Sequence, residues 1–238
     1  MPKGRCVVIF FHKSRNKLPR AGNEEERIVQ LLTLHGVEAV IDVGANEGQY
    51  ARRLRSAGYR DAIVSVEPGA AAHAALSGAA DGDPNWSVAR RMAVGEKAGL
   101  AQLHVSTRSD MSSLKEMSAV TREAFPKAAP AGEETVTVER LDAVFDELVG
   151  SDVERVFLKI DTQGSEVEVL RGAEGVLPRI VGMQLEMSLV PLYDGEPPYL
   201  ALLTELDRLG FDPHLFLKGF FSRRLRRQLQ FDGVFFRT

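Results

Sequence analysis

The sequence predicts a doubly wound α/β fold with a mainly parallel sheet and a C-terminal antiparallel hairpin. Short β-branched runs alternate with helical patterns along most of the chain, as in βαβ units. Those runs are almost continuously apolar, which suits strands buried on both faces. The last two strand-like runs have no helix between them.

The elements follow in order. Asn23 is a suitable N-cap, Glu24 to Glu26 suit the positive end of a helix, and Ile28, Leu31, Leu32 and Leu34 form its apolar face up to Gly36. Residues 37–44 read as a buried strand, followed by a glycine turn and a helix over about 47–57. A strand at 62–68 stops at Pro68, and an alanine-rich helix covers 70–76. Residues 86–94 read as a third strand and 101–106 as a further one. Residues 107–134 have weak periodicity and read as a long loop with one helix, of the kind that forms lids or acceptor loops. An edge strand at 135–139 and a helix at 141–148 come next. Strands at 155–161 and 180–187 alternate with helices at 165–171 and 199–209. Strand-like runs at 213–217 and 230–236, joined by a basic connector, end the chain.

Composition narrows the function. The chain has 238 residues, 44% hydrophobic and 26% charged, enough to bury a core without staples. A net charge of −3 argues against a general nucleic-acid coat. Cys6 is the only cysteine, which excludes an intrachain disulfide and a Cys-rich zinc site and suits a reducing compartment. The apolar run at 6–11 is far shorter than a membrane span and has no cleavage site after it. It is expected to be a buried strand or packing arm, and the expected location is cytoplasmic. The division expected is an N-terminal extension over 1–36 and one catalytic domain over 37–238.

Ile41-Asp-Val-Gly-Ala-Asn-Glu-Gly-Gln-Tyr50 is the most informative segment. A buried strand ends near an Asp and enters a glycine turn that opens a helix, where ligands of open α/β sheets bind. The dinucleotide pattern Gly-x-Gly-x-x-Gly is absent: the middle glycine is missing, and Glu47 would repel phosphate. A nicotinamide oxidoreductase is therefore excluded. Asp42 and Glu47 suit a ligand with cationic groups and no phosphates, such as S-adenosylmethionine. Glu67 ends the second strand, where a carboxylate can accept protons from two ribose hydroxyls. Lys159 and Asp161 share a strand face, so an ion pair or a shared ligand is expected, and a lysine inside an apolar run needs a partner acid within the fold. Glu166 reads equally well as a helix cap. The five histidines show no spacing that selects one, and His104 is the nearest to the loop. Ser112 and Ser113 read as a helix cap or as ligand contacts.

Val40-Ile-Asp-Val-Gly-Ala-Asn-Glu-Gly48, Val66-Glu-Pro68 and Leu158-Lys-Ile-Asp-Thr-Gln-Gly-Ser-Glu-Val-Glu-Val-Leu-Arg-Gly172 together resemble the FkbM-type family of S-adenosylmethionine-dependent methyltransferases. Gln184-Leu-Glu-Met-Ser188 and Gln230-Phe-Asp-Gly-Val-Phe-Phe-Arg237 extend the resemblance, which runs from about Val37 to the C-terminus. It implies a Rossmann-like class I methyltransferase fold and methylation of a hydroxyl on a sugar, glycolipid or polyketide-type molecule. It implies cofactor contacts from Asp42, Gly44, Ala45, Asn46 and Gly48, ribose binding by Glu67, and an adenine slot at Met92 and Ala93. Asp161 would meet the methionine part or the transferring methyl. Asp161, Glu186 and Lys159 are the catalytic candidates, since a hydroxyl acceptor must lose its proton to a group in the cleft. A divalent metal on Asp161 and Glu186 is a minority reading with no contiguous ligand pattern behind it. The basic run Lys218, Arg223, Arg224, Arg226 and Arg227, beside Phe220 and Phe221, suits an anionic acceptor or membrane surface. The rival readings are a non-catalytic accessory protein of the same fold and a methyltransferase acting on RNA. DNA is not an expected partner, and the oligomeric state is left open.

Overall fold

A computed structural model describes residues 21–237. The apolar run at 6–11 lies outside the described residues. Helix α1 (Glu24–Leu34) precedes β1 (Ala39–Val43), α2 (Gln49–Ser56), β2 (Ala62–Val66), α3 (Ala70–Ala80) and β3 (Trp86–Val88). Then come β4 (Ala93–Val94), β5 (Gly99–Ser106), α4 (Ala119–Ala124), β6 (Pro130–Glu139) and α5 (Leu141–Val149). The last third holds β7 (Val156–Ile160), α6 (Glu166–Gly172), β8 (Ile180–Ser188), α7 (Tyr199–Arg208), β9 (Phe211–Lys218), β10 (Phe221–Ser222), β11 (Arg227–Gln228) and β12 (Gln230–Arg237).

Seven strands form the central sheet in the order β3-β2-β1-β7-β8-β12-β9. The first five are parallel, and β12 runs antiparallel between β8 and β9. This is the doubly wound sheet with its C-terminal antiparallel pair. Continuous apolar runs follow from burial on both faces. Ile41, Leu158, Ile160, Met183 and Leu185 pack with Phe145, Leu170, Leu202 and Leu206 of α5, α6 and α7. Val40, Phe157, Val234 and Phe236 pack with Ile28, Leu32, Tyr50, Leu54 and Leu76 of α1, α2 and α3. Helix α1 starts as its residues dictate, with the Asn23 side chain accepting from Glu26 N at 2.8 Å. Among the described residues, no helix is long and apolar enough to cross a membrane.

Three local expectations change. The run 86–94 divides: β3 stays in the central sheet, whereas β4 pairs with β6 in a separate three-stranded sheet, β4-β6-β5. Arg90 and Arg91 sit at the break and reach Glu139 at 3.0 Å and Glu134 at 2.8 Å, so two charges leave the buried sheet and find partners. The expected edge strand at 135–139 starts earlier, at Pro130, and is the middle strand of that sheet. The long loop consequently ends near residue 129. It holds a 3₁₀ turn, Ser109–Met111, and α4. Met111, Phe125 and Ala128 give it a small core of its own with Leu192, Tyr193 and Leu229. The basic connector carries the short β10–β11 hairpin.

Candidate active site

Strand order reverses between β1 and β7, since the chain winds outward from β1 to β3 before returning to β7. Ligands of open α/β sheets bind at such a switch point, beyond the carboxyl ends of the strands. A cavity of about 240 Å³ opens there, between the ends of β1, β2 and β7 and the 3₁₀ turn of the long loop.

Backbone geometry builds its floor. Gly44 has φ +77°, and a Cβ on it would lie 1.9 Å from the carbonyl oxygen of Asp161. The glycine therefore lets the ends of β1 and β7 meet, with Asp161 N donating to Val43 O at 3.0 Å. Gly48 stands off the cavity. It begins α2 with φ +83° under the Trp86 ring, 2.7 Å from where a Cβ would sit.

Glu67 is buried at the wall. Its two carboxylate oxygens accept from Asn46 N and Gly69 N, each at 2.8 Å. Burial raises its pKa, and those two hydrogen bonds oppose the rise. Asn46, at φ 47°, lines the cavity, and its side-chain oxygen is buried without a hydrogen-bond partner among the described residues. Met92, Ala93, Leu103 and Leu114 supply an apolar side. Ser112 and Ser113 both line the cavity, and Ser113 Oγ donates to Gln163 O at 2.7 Å. His104 is turned to Glu133, 3.4 Å away, and does not line the cavity.

The lysine inside β7 has its partner acids. Lys159 Nζ lies 3.0 Å from Asp42 Oδ1 and 3.4 Å from Asp161 Oδ2. Burial disfavours the charge on Lys159, yet Asp42 and Asp161 together hold its pKa above the ordinary lysine value. Asp42 is wholly buried and does not line the cavity, while Lys159 and Asp161 do. Thus Asp42 reaches the site only through Lys159.

Glu186 stands one strand further out, on β8, and is tied to Asp161 by Gln163. The Gln163 amide donates to Asp161 Oδ1 at 2.7 Å and to Glu186 Oε2 at 2.9 Å, and it accepts from Tyr193 OH at 2.7 Å. Gln230 Nε2 also donates to Glu186. Asp232 is the cross-strand partner of Glu186 on β12, and Gln184 Nε2 donates to it at 3.2 Å. Burial, then Asp161 and Asp232, push Glu186 well above the usual carboxylate range. Burial, then Asp161, push Asp232 up to about 6. Glu166 serves the turn: it accepts from Thr162 N at 3.0 Å and Gly164 N at 3.2 Å.

The structure thus brings Gly44, Ala45, Asn46, Glu67, Met92, Ala93, Lys159 and Asp161 to one cavity. Asp42, Gly48 and Glu186 stand behind it. Gln163, Tyr193, Gln230 and Asp232 were not selected from the sequence. Gln163 had a signal, since it precedes the turn glycine after Asp161. Asp232 had none, because its place beside Glu186 depends on the β8–β12 register. Among the described residues, no group of three or more His, Cys, Asp or Glu is arranged to hold a metal ion.

Comparison with known proteins identifies the family. The methyltransferase FkbM domain matches residues 42–213. No curated protein matches the chain. Magnesium protoporphyrin IX methyltransferase from Synechocystis PCC 6803, solved with bound SAM, is similar at 11% identity and TM-score 0.48, covering 90% of this chain and 78% of that one. A SAM-dependent methyltransferase from Aquifex aeolicus is similar at 11% identity and TM-score 0.43, with 90% and 94% covered. An rRNA methylase from Streptococcus thermophilus is similar at 12% identity and TM-score 0.46, with 89% and 94% covered. Likenesses this distant carry no information about the acceptor. The match to the FkbM domain spans well over half of the chain, so the chain belongs to the FkbM methyltransferase family and is an S-adenosylmethionine-dependent methyltransferase.

Proposed function

We propose that the chain methylates a hydroxyl oxygen of a sugar, glycolipid or polyketide-type small molecule. The observation that carries this reading is Asp161 on the cavity wall, tied through Gln163 to Glu186, with Asp232 opposite Glu186 on β12. A hydroxyl acceptor must give up its proton to a group in the cleft; Asp161 lines the cavity, and Glu186 and Asp232 behind it have raised pKa values suited to holding a proton near neutral pH.

The cavity residues fit S-adenosylmethionine. Asn46 Oδ1 is a buried acceptor without a partner among the described residues, suited to an N–H donor such as an ammonium. Glu67 keeps acceptor capacity for ribose hydroxyls beyond the two backbone bonds it already takes. Met92 and Ala93 give an apolar surface suited to adenine. When bound, the cofactor supplies an electrophilic methyl group on its sulfonium. Asp161 lines the cavity and is the proposed base, and Lys159 is proposed to hold it in place.

The arginine hairpin is the proposed contact for an anionic group on the acceptor. Phe220 stacks on Phe125 with centroids 4.3 Å apart, which fastens the hairpin to the long loop, and Leu229 links it directly to Gln230 beside Glu186. The single cysteine supports a cytoplasmic location.

Calorimetry with S-adenosylmethionine, with NADH as control, tests the cofactor site. The expected outcome is micromolar affinity, roughly −8 kcal/mol, lost about tenfold or more in Glu67→Ala. An unchanged affinity in that variant would remove Glu67 from the ribose. A screen of sugars and polyketide-like alcohols then tests the acceptor class. Asp161→Asn is expected to lower kcat about 10²- to 10⁴-fold, and full turnover in it would reject Asp161 as base.

A further inference from the structure

Between β7 and α6 the chain turns through Asp161, Thr162, Gln163 and Gly164. Gln163 has φ +57°, a left-handed conformation that side chains rarely adopt and glycine adopts freely. The turn does not need this side chain to keep its shape. Glu166 binds the amides of Thr162 and Gly164, and Ser113 Oγ binds the Gln163 carbonyl. A residue kept in an unfavourable conformation, on a turn already secured by others, points to work done by its side chain.

That side chain meets three groups at once. A primary amide has two N–H donors, and here one goes to Asp161 and the other to Glu186. The Tyr193 hydroxyl, itself buried, binds the amide oxygen and so fixes which end of the amide faces the acids. Around the pair, Glu186 faces Asp161, Asp232, Glu166 and Lys159. Asp161 also faces the side chain of Lys159, which is shared with Asp42. Lys159 is the cation in contact with these acids, and Arg53 acts on Asp42 and Asp232 from further off. Two carboxylates brought together in such surroundings repel each other, and a neutral double donor between them offsets the repulsion without cancelling their charge.

We propose that Gln163 is a positioning residue: it clamps Asp161 and Glu186 into one unit aimed at the acceptor, with Tyr193 locking the clamp. This rests on the reading of those two carboxylates as the acceptor-facing acids. In that unit Asp161 takes the hydroxyl proton, an O–H bond breaking at the acceptor as one forms on the carboxylate. Gln163 keeps the second acid alongside.

Carboxyl-carbon NMR titration of the ligand-free protein, with thermal melting beside it, tests the clamp. Gln163→Gly is expected to lose no more than a few degrees of melting temperature, because the relief of φ +57° offsets part of the cost of the three lost hydrogen bonds. The midpoint of Glu186 is expected to rise by about half a pH unit or more, because a donor to its charged form is gone. Gln163→Glu is expected to raise it further by adding negative charge, and Tyr193→Phe to raise it less. Unchanged midpoints in both Gln163 variants would overturn the proposal. So would a large loss of melting temperature in Gln163→Gly, which would make the side chain structural. No methyl donor or acceptor enters the measurement, so its failure is distinguishable from failure of the O-methylation reading.

Discussion

At the scale of single residues, Lys159 is the clearest case of chemistry forced by position. It is the fourth residue of a strand whose five residues are all buried, so its charge persists only because Asp42 and Asp161 surround it. Removing the lysine would leave Asp42 as a buried, unpaired carboxylate. Lys159→Met should therefore cost about 3–5 kcal/mol in a denaturant titration. The double variant with Asp42→Asn should recover much of that loss, because no uncompensated charge remains. Additive losses would mean that the two groups do not depend on each other. The same reasoning explains why Asp42 stands off the cavity. Its task is to hold the lysine, whose ammonium in turn reaches both Asp161 and the end of β1.

At the scale of elements, the long loop and the arginine hairpin form one roof beside the site. Phe125, Phe220, Leu225 and Tyr193 share a small apolar cluster. The arginines point away from it: Arg223, Arg224, Arg226 and Arg227 are all exposed, as is Phe221. Arg224 has one distant carboxylate, Glu123 at 3.7 Å. Changing Arg223 and Arg227 together to Glu should leave the melting temperature within a few degrees, since surface charges contribute little to stability. The same variant should lower kcat/KM about tenfold or more for acceptors bearing phosphate or carboxylate, and not for neutral ones. Equal loss for both kinds of acceptor would remove the anionic contact.

At the scale of the whole molecule, buried acids set the pH dependence of stability. Burial pushes Asp232 up to about 6 and Glu166 up to about 7, and raises Asp42, Glu67 and Glu186 as well. A raised folded pKa means that the folded state binds the proton more tightly than the unfolded chain. The contribution is full below the ordinary carboxylate range and is lost as pH rises through the folded values. Asp83, Asp142 and Glu205 act oppositely: arginine partners hold them low, so their share is lost on acidification. They lie half-buried at the surface, where solvent screens them, and the buried group should dominate. The melting temperature should therefore fall between about pH 5 and pH 8, and Asp232→Asn should flatten part of that fall. A melting temperature that climbs over this range would contradict the assignment.

The amino-acid order by itself determined the alternation of strands and helices, the buried faces, the glycine turn and the acidic end of the second strand. Those signals are local: a strand buried on both faces must be apolar, and Asn23 caps a helix wherever it leads. The expectation that an in-strand lysine must find an acid was also legible, as a solvation argument. Tertiary structure alone decided which residues line the cavity and which stand behind them. Gly44 turned out to serve the contact with the Asp161 carbonyl, two strands being brought together across more than a hundred residues of chain. Asp232 meets Glu186 only through the β8–β12 register, and Tyr193 meets Gln163 only because the connection between β8 and α7 folds back over the turn after β7. Such contacts are set by pairing and packing between distant segments, and no local pattern of residue types encodes them.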